Sequence, residues 1–368
     1  MRKFEGAWAA LAAFAGAKLV FVVALAAMVG GFPLAQLTAF DAEWYRSIVV
    51  DGYVYTTETH SNLAFFPLYP GVAWLVHALG VNPEWSLLLV AWAGSALAVL
   101  GIHRVGRVVG SDRTGWWLAL LWAVAPRSHV QAMGYSEGPF TAFVAWALWA
   151  ALAGRPLLAG ALTMGAGLTR PAAVPLMAAL WLWWLVGVVA ASRAGRRGDR
   201  WQWRRLVGAV LGSSGFAAYW LAVAVQTGSP LGYLRVQEAW NSTMGSPLGP
   251  LGDVWDRLSG QVDGATWIVD GIVSATILAA IALLVVMLAT REHWLLSTVV
   301  ALGLLLVLTQ QLYFNAKARM LLPWFPMWLP VARWLAGRDP WLAAAVGVTA
   351  VAGSAWWGVE ASLLTGSP

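Results

Sequence analysis

An all-α polytopic membrane protein is what this chain predicts, on three observations. Hydrophobic residues fill 60% of its 368 positions and charged residues only 11%, with a mean hydropathy of +0.67; soluble domains carry about 25% charge and roughly 45–50% apolar residues. Apolar stretches of helical length recur from end to end. The charges lie in short clusters between them. A soluble enzyme, a disordered chain and a fibrous protein are excluded on these grounds. The absence of cysteine excludes disulfides, thiolate metal sites and a cysteine nucleophile. Arginine outnumbers lysine twenty to three, which with the Ala, Gly and Trp richness points to a high-GC bacterial genome.

The first apolar stretch, 7–30, follows Arg2 and Lys3 and ends in Gly30-Gly31-Phe32-Pro33 without a small-x-small cleavage site, so it reads as a retained span rather than a signal peptide. Ten more follow, at 85–109, 114–126, 135–153, 156–169, 171–191, 205–227, 266–289, 293–313, 319–336 and 340–360. A further piece, 65–79, is too short to span and is assigned to a juxtamembrane helix. With the N-terminus inside, fifteen basic residues fall on the inner side and seven on the outer, with Lys18 inside a span; five acids lie inside and twelve outside. Counting 65–79 as a span would put the basic segment 193–205 outside, against the positive-inside rule. The expected topology is therefore eleven spans in a bacterial cytoplasmic membrane, N-in and C-out. The net charge of +6 is dispersed over these loops and forms no nucleic-acid patch.

One domain, 1–368, is expected, with two long extracytoplasmic segments, 31–84 and 228–265. Long connections inside a compact domain are usually functional. The stretches 114–126 and 156–169 are too short for a ~30 Å hydrocarbon core. Each ends in a polar cluster, Pro126-Arg127-Ser128-His129 and Thr169-Arg170-Pro171. A cavity dipping into the bilayer and lined by Arg127 and Arg170 would explain both, and guanidinium groups there suit a lipid phosphate. Snorkelling of the two arginines to the headgroups is the alternative.

In the first outer segment, 44–50 has an aromatic and apolar face, fitting a short surface helix with Asp41 at its N-cap and Gly52 at its end. From spacing alone, Asp41 is either a cap or a reactive acid. Asp41, Trp44-Tyr45, Ile48 and Gly52-Tyr53, followed by Phe65-Phe66-Pro67-Leu68-Tyr69-Pro70, resemble the signature of the PIG-V-like family, GPI mannosyltransferase II and its bacterial relatives. Tyr135-Ser136-Glu137, Leu168-Thr169-Arg170-Pro171, Gln237, Trp240 and Arg319-Met320-Leu321-Leu322-Pro323-Trp324-Phe325-Pro326 match in order. Phe40 departs from the pattern, which usually has Trp there.

The resemblance implies a GT-C fold and an inverting transfer of mannose from a polyprenyl-phosphate mannose, with Asp41 as catalytic base. Such a transfer needs one base to take the acceptor proton, and its phosphate leaving group needs no general acid. Cations near that phosphate stabilise its growing charge; Arg170, Lys317 and Arg319 are the candidates. A solvated turn is the plain alternative for 315–319. Glu43, Tyr45, Arg127, Tyr135, Glu137, Gln237 and Trp240 are further candidates for substrate contact. Glu137 could instead pair with an arginine. Asp41 and Glu43 lack a third ligand, so no metal or other cofactor is expected. The expected partners are the donor lipid, membrane lipids and an acceptor that the sequence leaves open. Two other readings use the same features: a polyprenyl-linked glycan ligase or polymerase, and a lipid or solute transporter. A transporter would place charges at mid-span and pair its broken helices.

Overall fold

The computed structural model describes residues 5–55, 60–195, 200–240, 242–259, 267–311 and 313–364. Arg2, Lys3, Arg196, Arg197 and Asn241 lie outside them. In chain order the helices are α1 (Glu5–Val29), α2 (Leu34–Leu37), α3 (Asp41–Asp51), α4 (Leu68–Ala78), α5 (Pro83–Val109), α6 (Asp112–Val124), α7 (Glu137–Leu152), α8 (Pro156–Thr169) and α9 (Val174–Arg193). They continue as α10 (Arg200–Thr227), α11 (Gly232–Ala239), α12 (Gly249–Leu258), α13 (Trp267–Ala289), α14 (Trp294–Thr309), α15 (Lys317–Met320), α16 (Leu329–Ala336) and α17 (Pro340–Leu364).

All eleven apolar stretches carry helix, but their lengths divide them. Among the described residues six are long and apolar enough to cross a membrane: α1, α5, α9 with the turn before it, α10, α13 and α17. The other five carry shorter or broken helices. Among them α6 has 13 residues, α7 16, α8 14 and α14 16. The stretch 319–336 is broken into α15, a 3-10 segment Leu322–Trp328 and α16. Pro323 and Pro326 cause that break, because proline supplies no backbone N–H and its ring collides with the preceding turn.

The core lies between α5, α6, α7, α8, α10 and α14. Trp122, Phe140, Trp324 and Phe325 are all at most 1% exposed there. Helices α8 and α10 touch backbone to backbone: a Cβ on Gly160 would stand 2.3 Å from the Gly208 carbonyl oxygen. Small residues allow this close approach, the usual means of packing helices where lipid supplies no hydrophobic drive.

Lys18, the charge within the first span, faces protein. Its Nζ donates to the Ala123 carbonyl at 2.6 Å and the Ser128 carbonyl at 2.8 Å. It therefore caps the C-terminus of α6, whose last carbonyls have no intrahelical donor.

The first loop forms two short helices, α3 and α4. α3 buries Tyr45, Ile48 and Val49 against Tyr69 and Ala73 of α4 and Leu87 of α5. Gly52 ends α3 at φ +81°, donating its N–H to the Ile48 carbonyl at 3.0 Å. The N-cap differs from expectation. It is Phe40, at φ +58°, and Asp41 is the first helical residue, with no side-chain cap bond on α3. A bulky residue in that region costs about 1–3 kcal/mol and persists only where its surroundings enforce it. Here it turns the chain so that Asp41 leaves the helix end and faces the interior of the site.

Candidate active site

Four chain segments converge at the α3 end of the bundle. They are the start of α3, the α7 N-terminus, the α8–α9 junction and α15. Their ionic side chains form one line. Arg170 Nη1 lies 2.7 Å from Glu137 Oε1, Arg319 Nε lies 3.4 Å from the same oxygen, and Arg319 Nη1 lies 2.9 Å from Asp41 Oδ2. Glu137 and Arg319 are buried, with side chains 3% and 8% exposed, while Asp41 is 22% exposed. Burial alone would lower the proton affinity of the Arg170 guanidinium, but the Glu137 carboxylate beside it raises it above its ordinary value. Ser136 joins the line to the wall behind it: its Oγ accepts from Arg170 Nη1 at 3.0 Å and shares a proton with Tyr45 Oη at 2.7 Å.

The two arginines separate two cavities. One, of about 170 Å³, is lined by Asp41, Tyr45, Phe65, Trp240 and Tyr313 together with Arg170 and Arg319. The other, of about 310 Å³, has mostly apolar walls from Phe216, Trp220, Met244, Leu306 and Trp324, with Glu137 and the same two arginines at one end. Gln237, Ser242 and Gln310 also border both. The second loop is held over them. β1 (Thr243–Met244) pairs antiparallel with β2 (Gln310–Gln311), and Trp240 Nε1 donates to the Ser61 carbonyl at 3.0 Å. Trp240 packs edge-on against Trp44, their ring centroids 4.9 Å apart.

Of the residues chosen from sequence, Asp41, Tyr45, Glu137, Arg170, Gln237, Trp240 and Arg319 meet at these cavities. Glu43 is exposed and lines neither. Tyr135 is fully buried behind the wall, with the Arg319 guanidinium 5.4 Å from its ring centre. Two arrangements correct the sequence reading. Arg127 does not line the cavity: it is 0% exposed, at φ +65°, with its guanidinium 5.5 Å from the Trp357 ring centre. Burial beneath α17 replaces the expected opening to the outer leaflet. Lys317 lines neither cavity. It is 2% exposed, and its Nζ donates to the Val307 carbonyl at 3.0 Å and the Gln310 carbonyl at 2.6 Å, at the C-terminal end of α14. Both described lysines thus cap interrupted helices.

Lys317→Met is accordingly expected to lower stability by about 1–3 kcal/mol, the usual cost of unpartnered buried polar groups. Its affinity for a lipid phosphate should stay at the wild-type value. Thermal melting in detergent and a binding titration separate the two effects.

Sequence reasoning passed over Ser136, Ser242 and Gln310. Ser136 stood between two chosen residues. Gln310-Gln311 at the end of an apolar run was the available signal for the third.

No family model matches the chain. A stretch of 118 residues, 29% of this chain, is 34% identical to the GPI alpha-1,6-mannosyltransferase 2 of Cricetulus griseus and covers 23% of that protein. The Rattus norvegicus protein of the same name is 35% identical over the same length. The matched stretch thus spans less than a quarter of the curated relatives. Among solved structures, ArnT from Cupriavidus metallidurans bound to undecaprenyl phosphate superposes with a TM-score of 0.57 at 16% identity, over 92% of this chain and 62% of ArnT. The Archaeoglobus fulgidus oligosaccharyltransferase AglB, in complex with an inhibitory peptide and a dolichol-phosphate, superposes at 0.54 and 12% identity, over 100% of this chain and 57% of AglB. The chain has the GT-C fold of these membrane proteins.

Proposed function

We propose that the chain is an inverting glycosyltransferase that moves mannose from a polyprenyl-phosphate mannose to an acceptor hydroxyl. The observation that carries this reading is the line Arg170–Glu137–Arg319–Asp41, set between an apolar cavity and a polar one. It supplies the pieces in the order such a donor requires. The apolar cavity takes the start of the prenyl chain. The two guanidinium groups take the phosphate. The sugar and the acceptor meet beside Asp41 in the polar cavity.

In the reaction, the acceptor oxygen attacks C1 while Asp41 removes its proton. The bond from C1 to the phosphate oxygen breaks, and the polyprenyl phosphate departs with its added charge held by Arg170 and Arg319. Without substrate, Arg319 is paired with Asp41. A donor phosphate competes for that guanidinium and leaves Asp41 available to the acceptor, so the donor binds first. The relatives' sugar, mannose, and the lipid phosphates of ArnT and AglB support the donor assignment. No metal is assigned a role, and turnover is expected to be unchanged in EDTA.

The proposed site faces the extracytoplasmic side of a bacterial cytoplasmic membrane, with the N-terminus inside. An accessibility tag at Gly249 should report outside and one at residue 198 inside; a cytoplasmic signal at Gly249 would overturn this orientation. The function itself is tested by incubating the purified protein with labelled polyprenyl-phosphate mannose and membrane extract, then identifying the labelled product. Product bearing a single transferred mannose supports the reading. A multi-sugar unit moved in one step would favour a glycan ligase.

A further inference from the structure

We propose a second lipid site, for an anionic bilayer phospholipid, in the groove between α1, α6 and α17. The groove encloses about 720 Å³ at the end of the bundle away from the candidate active site, and shares none of that site's residues. Its walls are small and apolar. Gly16 and Ala17 come from α1, Trp117 and Leu120 from α6, and Ala344 and Gly347 from α17.

Three features identify the occupant. The first is length. Along α17 the lining runs from Pro340 to Ala352, about 18 Å at the helical rise. That is close to one leaflet, half of a ~30 Å hydrocarbon core. The groove therefore fits an acyl chain lying parallel to the helices.

The second is the level at which the groove ends. Trp341, 84% exposed, and Trp334, 49% exposed, stand beside its Pro340 end. Exposed tryptophans gather at headgroup level.

The third is charge. Arg113 is the ionisable residue in the lining, at that same end, and it is exposed. Two acids stand nearby, each with a local contact. Asp112 lies 3.4 Å from His103 Nε2, and Asp339 Oδ1 accepts from the Trp341 backbone N–H at 2.9 Å. Arg338 turns onto the Trp334 ring, 4.5 Å from its centre. Arg113, whose Nη2 donates to the Arg338 carbonyl at 3.5 Å, keeps the rest of its exposed guanidinium at the level where a lipid phosphate would lie, with an apolar channel for the chain directly beyond.

The glycines permit a direct test. A Cβ on Gly16 meets nothing within 4 Å, and one on Gly347 meets Trp117 only at an ordinary 3.4 Å. Both backbone positions thus have room for a Cβ, and Gly16→Leu and Gly347→Leu place bulk in the groove; both should melt with the wild type after delipidation. Native mass spectrometry of the full chain, titrated with phosphatidylglycerol or phosphatidylcholine in detergent, reads occupancy. The wild type should retain one phosphatidylglycerol with roughly fivefold preference over phosphatidylcholine, the effect of one basic residue near an anionic headgroup. Arg113→Ala should abolish that preference, and either leucine variant should lower binding of both lipids at least as much. Several outcomes would overturn the proposal: no preference in the wild type, unchanged binding in both leucine variants, or displacement by an equal concentration of undecaprenyl phosphate. So would a wild-type dimer that Gly16→Leu dissociates, since a second copy would then fill the groove. None of these outcomes depends on the transfer reaction.

Discussion

Asp41→Asn is expected to lower transfer by roughly 10²–10⁴-fold, the usual loss for a general base, while the protein should fold and still bind the donor lipid. The carboxylate lines the polar cavity at one end of the ionic line, 2.9 Å from Arg319. It makes no side-chain cap bond to α3, so replacing it does not uncap the helix. Its ion pair is part-exposed, and such pairs contribute little to stability. Asparagine keeps the shape and loses the ability to accept a proton. Retention of more than about a tenth of wild-type turnover would place the base elsewhere. Glu43→Gln is the control, because Glu43 is exposed and lines neither cavity.

Arg319→Ala is expected to weaken donor use more than Arg170→Ala. A buried charge-assisted hydrogen bond is worth about 1.5–3 kcal/mol, or roughly 10–150-fold in affinity for each arginine. Arg319 carries a second role, since it alone reaches both acids. Its loss leaves Glu137 paired with Arg170, so the variant folds. Glu137→Gln differs. It leaves the Arg170 guanidinium without its carboxylate and should lower the melting temperature as well as activity, as breaking buried ion pairs does. Lysine at position 170 or 319 keeps the charge but not the planar fork, and should recover part of each loss. The two alanine substitutions share Glu137 and should couple in a double-mutant cycle. Normal donor binding in Arg319→Ala would place the phosphate elsewhere.

Helix positions were legible because each apolar run is bounded by Gly, Pro or charge, and the helices fall within a few residues of those limits. Continuity was less legible. The stretch 319–336 reads as one apolar run, yet Pro323 and Pro326 within it were the visible sign of the break that sets Arg319 at the site. The lysines were misread for a different reason. Lys317 donates to carbonyls that exist as acceptors only because α14 ends short, and a charge pattern does not contain that fact. Arg127 followed the same logic as Arg170, a cation after a short helix, but packing under α17 covers one while the α8–α9 junction opens the other to both cavities. The acid–arginine line joins residues far apart in the chain. Its members could be chosen one by one, but their contacts come only from the fold.

The central claim is that the sugar arrives on a lipid phosphate and passes directly to an acceptor hydroxyl whose proton Asp41 takes. The most direct measurement supplies the purified protein, in liposomes with membrane extract, with labelled mannose on either a polyprenyl phosphate or a soluble nucleotide. The account predicts transfer from the lipid donor alone, lost in Asp41→Asn although that variant still binds the donor. Transfer from the nucleotide donor in the absence of any polyprenyl phosphate, or undiminished transfer by Asp41→Asn, would contradict it.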